Sequence, residues 1–314
     1  MIQEVFDRVA QELSGAVVGQ NDAARLLLMA QVARGHTLLE GVPGIAKTLM
    51  VKALAAITDG SFKRVQCTPD LMPSDVTGTN VFSPATGEFR FVPGPLFTDF
   101  LLCDEINRAV PKTQAALLEA MEERQVTIDG GRHQLAERFI VVATQNPVEF
   151  EGTYPLPEAQ LDRFMLKISM TYPQGDAELD VLKRHGAGFN PQDIESLGLA
   201  RVMTSGDIDR MRRQAFAVSI EDDVLRYIGA LAAASRAQPG VALGISTRAA
   251  ANLVVLSKIA AAAHQRDFVV PDDVKQMAGP AWTHRVLLQP EAEVEGLTPS
   301  VALERTFAAV EVPR

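Results

Sequence analysis

Gly41-Val42-Pro43-Gly44-Ile45-Ala46-Lys47-Thr48 lies between an apolar run, His36-Thr37-Leu38-Leu39-Glu40, and a stretch of helical periodicity from Lys47 to Ile57. A strand, a glycine-bearing turn and a helix, in that order, aim backbone N–H groups and a helix dipole at any anion entering the turn. In a phosphate-binding loop of this kind Lys47 reaches the β- and γ-phosphates of a nucleotide, and the Thr48 hydroxyl ligates Mg²⁺. Ala46 stands where glycine is usual. It is read as opening the helix, where ordinary helical dihedrals accept a Cβ. A Gly/Pro turn without a ligand would leave the same local sequence, so the rest of the chain must decide.

Two further strand ends bear on that choice. Phe100-Leu101-Leu102-Cys103-Asp104 is a run buried on both faces that ends in carboxylates, Asp104 and then Glu105. In an open parallel sheet the ligand crevice lies at the carboxyl ends of the strands. Asp104 there suits a Mg²⁺ anchor, directly or through water, and Glu105 suits the base that polarises an attacking water. The run Phe139 to Thr144 ends in Gln145-Asn146-Pro147, where an amide could orient that water. Phe62 to Cys67 and Phe164 to Ser169 complete five candidate strands, with helices read at Asn21 to Ala33 and Pro111 to Glu123 between them. This alternation is the pattern of an α/β fold with a parallel sheet.

Two hairpins interrupt the alternation, Val81 to Val92 and Gln125 to Leu135, the second turning at Asp129-Gly130-Gly131. In the first, Phe89 and Phe91 share one face and Glu88 and Arg90 the other. After Tyr172-Pro173 the chain reads as helices, over Asp176–His185, Gly206–Val218, Asp222–Ala234, Thr247–His264 and Asp272–Ala281. Gly186 to Ser205 reads as a connecting loop, and a last helix falls near Ala302 to Val310. The expected division is therefore 1–172, an α/β nucleotide-binding domain, and 173–314, a smaller all-helical lid.

The chain has 314 residues with 47% hydrophobic and 22% charged, which supports a real core and excludes a disordered chain. Its net charge of −9 opposes a phosphate backbone. The two cysteines, Cys67 and Cys103, lie in apolar strand-like runs and read as core thiols in a reducing compartment. The five histidines form no i, i+4 pair, so no zinc site is expected, and Gly244-Ile245-Ser246-Thr247-Arg248 fails the nucleophile-elbow pattern at its last position. The most apolar later stretch, Ala249 to Ala263, is broken by Asn252, Ser257 and Lys258, which excludes a membrane span. A cytoplasmic protein is expected.

From about Val18 onward the chain resembles the MoxR group of AAA+ ATPases. The resemblance runs through Val18-Gly19-Gln20, the phosphate loop Gly41, Val42, Pro43, Gly44, Ile45 with its Ala46-Lys47-Thr48, and the block Asp104-Glu105-Ile106-Asn107-Arg108-Ala109. It continues through Pro111-Lys112-Thr113-Gln114, Leu117-Leu118-Glu119-Ala120-Met121-Glu122-Glu123 and Asn146 as sensor 1. The resemblance implies that Gly19 and Gln20 lie near the adenine. It implies that Arg163, in Leu161-Asp162-Arg163-Phe164, is an arginine finger entering a neighbouring subunit's site. Arg248 would be sensor 2, tying the lid to the γ-phosphate of its own subunit. The hairpins would be the helix-2 insert and the pre-sensor-1 hairpin. Whether Phe89, Arg90 and Phe91 touch a substrate or pack the insert onto its own domain stays open.

The function so implied is ATP hydrolysis with Mg²⁺ by a homo-oligomeric ring, a hexamer by family expectation, that remodels or activates other proteins. A partner with a von Willebrand A-type domain is implied by the resemblance alone. Two rivals stand beside it, a DNA-directed motor and a nucleotide-gated binding module with little turnover.

Overall fold

The structure, a computed structural model, describes residues 2–146 and 152–313. Its first part runs α1 (Ile2–Ala16), α2 (Asn21–Ala33), β1 (His36–Glu40), α3 (Lys47–Ile57), β2 (Phe62–Gln66), α4 (Pro73–Thr77), then the hairpin β3 (Gly78–Ser83) and β4 (Glu88–Pro93). It continues with β5 (Phe100–Asp104), α5 (Pro111–Glu123), the hairpin β6 (Gln125–Ile128) and β7 (Gly131–Gln134), β8 (Ile140–Gln145), α6 (Glu158–Leu161) and β9 (Phe164–Ser169). Then come α7 (Asp176–Gly186), α8 (Ser205–Ala217), α9 (Asp222–Ala237), β10 (Val241–Leu243), α10 (Thr247–Ala263) and α11 (Pro271–Trp282). The chain closes with β11 (Leu287–Leu288), α12 (Pro290–Val294) and α13 (Pro299–Ala309). Among the described residues no helix is long and apolar enough to cross a membrane.

All five expected strands form one sheet in the order β2-β5-β8-β1-β9, every pairing parallel. Register brings the carboxyl ends level, since Gln66 faces Asp104, Cys103 faces Ala143 and Glu40 faces Gln145. Neighbouring residues feed opposite layers, as the two-residue period requires. Leu39, Leu102 and Val142 join a core with α1, α2 and α3, whereas Leu38, Leu101, Cys103 and Val141 pack against α5 with Leu117, Leu118 and Met121. The first core runs on without a break into α8 to α11 through Met211, Leu253, Leu256 and Trp282. The lid is thus fused to the back of the sheet. Besides its helices it carries one two-stranded ladder, β10 with β11.

The two inserted hairpins pack on each other. Phe91 stacks on His133 with ring centroids 4.0 Å apart, and Asn80 donates to Asp129 at 2.7 Å. Phe91 therefore packs the insert, while Phe89, 72% exposed and paired with Phe82, stays at the surface. Cys67 and Cys103 are both buried and free.

Two histidines are walled into the sheet's amino-terminal end. His36 accepts from Val141 N at 2.9 Å and meets Met121 O at 3.1 Å, which makes its Nε2 the protonated nitrogen. Burial first, then Arg124, lowers its pKa to about 4. His284 meets Phe164 O at 2.9 Å, and burial followed by Arg285 lowers its pKa to about 3. Below pH 6.5 the unfolded chain protonates these rings and the folded chain does not, so protons favour unfolding. Stability should fall as pH drops below about 6.5, by up to about 1.4 kcal/mol per pH unit for each ring, and level off near the folded pKa values. Chemical denaturation across that range checks this, and His36→Asn should show a shallower slope whatever its absolute stability.

Candidate active site

The loop after β1 is built by close approach. Gly41 N donates to Gln145 O at 3.3 Å, and a Cβ on Gly41 would lie 2.7 Å from Met170 O. Gly44 takes φ +84, open to glycine. Ala46 corrects the sequence reading. It does not adopt helical dihedrals but sits left-handed at φ 64, ψ 27 as the residue capping α3. That conformation costs a residue with a Cβ roughly 1–2 kcal/mol, which is why glycine is usual there. Lys47 Nζ donates to Gly41 O at 2.6 Å, bridging the loop, and Thr48 donates to Asp104 Oδ2 at 3.4 Å.

Asp104 is 6% exposed and fully engaged. Its Oδ1 accepts the Thr144 hydroxyl at 3.1 Å, and its Oδ2 accepts Arg64 Nε at 2.6 Å. The Thr144 oxygen in turn accepts from Glu105 N at 2.9 Å, so β8 fixes the β5 end. Glu105 is left-handed, φ 57, which turns its carboxylate out of the strand direction. Gln66 donates to Glu105 Oε2 at 2.9 Å, and Arg108 Nε is ion-paired with the same oxygen at 3.0 Å. Asn146 is buried beside them and lines the cleft; Pro147 lies outside the described residues. The Cys67 thiol is pushed up to about 12 by burial, then by Asp104 and Glu105, so it stays protonated and inert.

These groups form one end of a cleft of about 730 Å³, a size suited to a nucleotide-sized ligand. The rest is largely apolar, with Val18, Pro173, Val181, Phe189 and Pro191 beside His185 and Arg184. Part of that wall belongs to the segment read from sequence as a plain connecting loop. It is anchored where Lys52 donates to Gln192 O at 3.1 Å, and α7 is stapled to α1 by Arg184 on Gly15 O at 2.6 Å. Gln20 lines the cleft and donates to Thr171 O at 2.7 Å. Apolar side chains beside the phosphate-loop segment and the oxygen donors Thr48 and Asp104 suit a purine at one end and phosphates at the other. Thr48 and Asp104 are hard oxygen donors of the kind Mg²⁺ accepts together with phosphate oxygens. The Arg64 cation now shares Asp104 Oδ2.

Of the expected residues, Pro43 to Thr48, Gln20, Asp104, Glu105 and Asn146 line the cleft. Val42 packs on the core, and Gly41 and Gly19 hold the chain against Met170 and Pro173. Arg163 and Arg248 line no part of it. Arg163 precedes β9 and α10 docks on α2, α8 and α11, so both arginines lie at the sheet's amino-terminal end. There Arg163 Nε and Arg248 each bond Glu122, at 2.9 and 2.5 Å. The expectation that Arg248 reaches its own subunit's phosphates is corrected. The part of the lid that carries Arg248, α10 with α8 and α11, is packed behind the core, away from the phosphate loop. Sequence reasoning also missed Arg64 and Gln66, although Phe62, Arg64 and Gln66 alternate along β2 and all three face the cleft.

A five-stranded parallel sheet with a phosphate loop after β1, one strand in from the edge, acids on the next strand but one and a helical lid defines an AAA-type nucleotide-binding protein. The family description "ATPase family associated with various cellular activities (AAA)" matches residues 36–166, and "AAA lid domain" matches residues 233–306. The chain belongs to the MoxR family of AAA+ ATPases. It is 36% identical to Chaperone MoxR1 of Mycobacterium tuberculosis, over 98% of this chain and 82% of that one. It is 44% identical to an uncharacterised protein, YeaC, of Bacillus subtilis, covering 99% and 96% of the two. The crystal structure of an ATPase candidate from Cytophaga hutchinsonii superposes with a TM-score of 0.90 at 40% identity, covering 100% and 96%.

Proposed function

We propose that the chain hydrolyses ATP with Mg²⁺ in sites completed between subunits of a ring, a hexamer by family expectation. The observation that carries this is the pairing of Arg163 with Arg248 at the end of the sheet remote from their own cleft. The apolar part of the cleft takes the base, and the loop N–H groups and Lys47 take the phosphates. Thr48 and Asp104 would hold Mg²⁺, which neutralises phosphate charge when bound. Glu105 accepts a proton from the attacking water, Asn146 orients that water, and Gln66 and Arg108 fix where the Glu105 carboxylate points. Arg163 and Arg248 of a neighbour meet the charge that develops on the transferred phosphoryl oxygens.

The remodeling of other proteins is supported by the relation to Chaperone MoxR1. A partner with a von Willebrand A-type domain is supported by family resemblance alone. The test is ATP turnover per subunit against protein concentration. The rate per subunit should climb as rings assemble. A flat rate, no faster than Glu105→Gln, favours the nucleotide-gated binding module instead, a reading that the engagement of Glu105 by Gln66 and Arg108 would suit.

A further inference from the structure

Glu122 lies near the last turn of α5 and touches nothing in its own cleft, yet it is the residue on which both remote arginines meet. Its Oε2 accepts from Arg163 Nε at 2.9 Å with the terminal nitrogen also at 2.9 Å, and its Oε1 accepts from Arg248 at 2.5 Å. One carboxylate thus uses each oxygen for a different guanidinium. One arginine comes from the core, immediately before β9, and the other from the first turn of α10 in the lid.

The surroundings make this a fixed hub. Asp162, beside Arg163, accepts the Ser246 hydroxyl at 3.1 Å, and that hydroxyl caps α10 by accepting from Ala249 N at 3.1 Å. Asp162 also accepts Arg285 Nε at 2.8 Å, and Arg285, itself buried, donates to Phe164 O at 2.7 Å. Trp282, fully buried, donates to Ala249 O at 3.1 Å. Core and lid are therefore locked on either side of Glu122, while the two guanidiniums stay partly exposed, at 30% and 49%.

Left alone, two guanidiniums side by side repel, and each long side chain would find its own partner. We propose that Glu122 is a positioning residue: it holds Arg163 and Arg248 as one preset pair that is offered to the nucleotide of the neighbouring subunit. The inference rests on the composite-site reading above. A guanidinium has five N–H donors in a fixed fork, so both arginines keep donors beyond those that Glu122 uses, and an incoming phosphate need not displace it. The hydrogen bond from Arg248, ahead of the charges of Arg248 and Arg163, holds the Glu122 carboxyl below its ordinary range, so it stays ionised at neutral pH.

Glu122→Gln tests this. It keeps the shape and removes the charge that binds two cations at once. At saturating ATP, kcat should fall on the order of 10²-fold, the cost of misplacing catalytic groups slightly, with the KM for ATP, the melting temperature and the assembled size unchanged. The decisive readout is subunit mixing. Glu105→Gln subunits have a dead pocket but intact arginines, and Glu122→Gln subunits have the reverse. Rings mixed from the two should turn over well above the sum of the separate variants. Wild-type turnover by Glu122→Gln overturns the proposal. So does a loss that mixing cannot rescue while the same mixture rescues Arg163→Ala. If Arg163→Ala is not rescued either, the composite site itself has failed. Should Glu122→Gln not assemble, Glu122→Asp is read in the same mixture against the same two outcomes.

Discussion

Arg163→Ala is expected to lower ATP turnover by about 10³-fold or more while leaving nucleotide binding intact. The size follows from removing a cation that acts only as charge develops on the phosphoryl oxygens. The sparing of binding follows from where Arg163 sits. It precedes β9, whereas the phosphate loop follows the far end of β1, which runs parallel beside β9. At about 3.3 Å per residue, five-residue strands put roughly 16 Å of sheet between the two ends. No side chain crosses that within one subunit. Arg248→Ala should act in the same direction, because it shares the Glu122 carboxylate with Arg163. Titrating Arg163→Ala with Glu105→Gln subunits and following phosphate release measures this. Recovery of activity in the mixture is the expected result, and full activity of Arg163→Ala alone would sink it.

Glu105→Gln should lower kcat by about 10²–10⁴-fold, the usual contribution of a positioned general base. Binding should survive, because the amide retains the size of the carboxylate and Asp104, Thr48 and Lys47 are untouched. Lys47→Ala is the contrasting case. It removes the charge that spans the loop, and should lose nucleotide affinity as well as turnover. Equilibrium titration with a fluorescent ATP analogue, beside single-turnover hydrolysis, separates the two variants. A Glu105→Gln protein turning over within a few-fold of wild type would remove Glu105 from the proton transfer.

The strands were legible chiefly because β5 and β8 are apolar almost throughout, the pattern of a strand covered on both faces, and because β1, with Leu38 and Leu39 at its centre, runs straight into the phosphate loop. α2, α3 and α5 matched at both ends, since Pro111 and the loop residues before Lys47 punctuate the chain locally. The side-chain environment of β2 was harder to see. Arg64 and Gln66 look like the solvent face of an edge strand until the sheet brings them beside Asp104 and Glu105. The segment after α7 has no sustained periodicity because its one regular piece is a single 3-10 turn, Glu195–Leu197, and its place over the cleft comes from long-range anchors such as Lys52 on Gln192 O.

What the sequence by itself determined is the chemistry at the carboxyl ends of the strands. A phosphate loop is one continuous segment, and Asp104, Glu105 and Asn146 follow apolar runs directly, so short-range pattern suffices to put them together. The tertiary structure alone decided where α10, which carries Arg248, docks. Arg248 was read correctly as standing at a helix start, but its direction depends on α10 docking against α2, α8 and α11, contacts between residues far apart in the chain. Local sequence names the groups; long-range packing decides which end of the sheet each of them occupies.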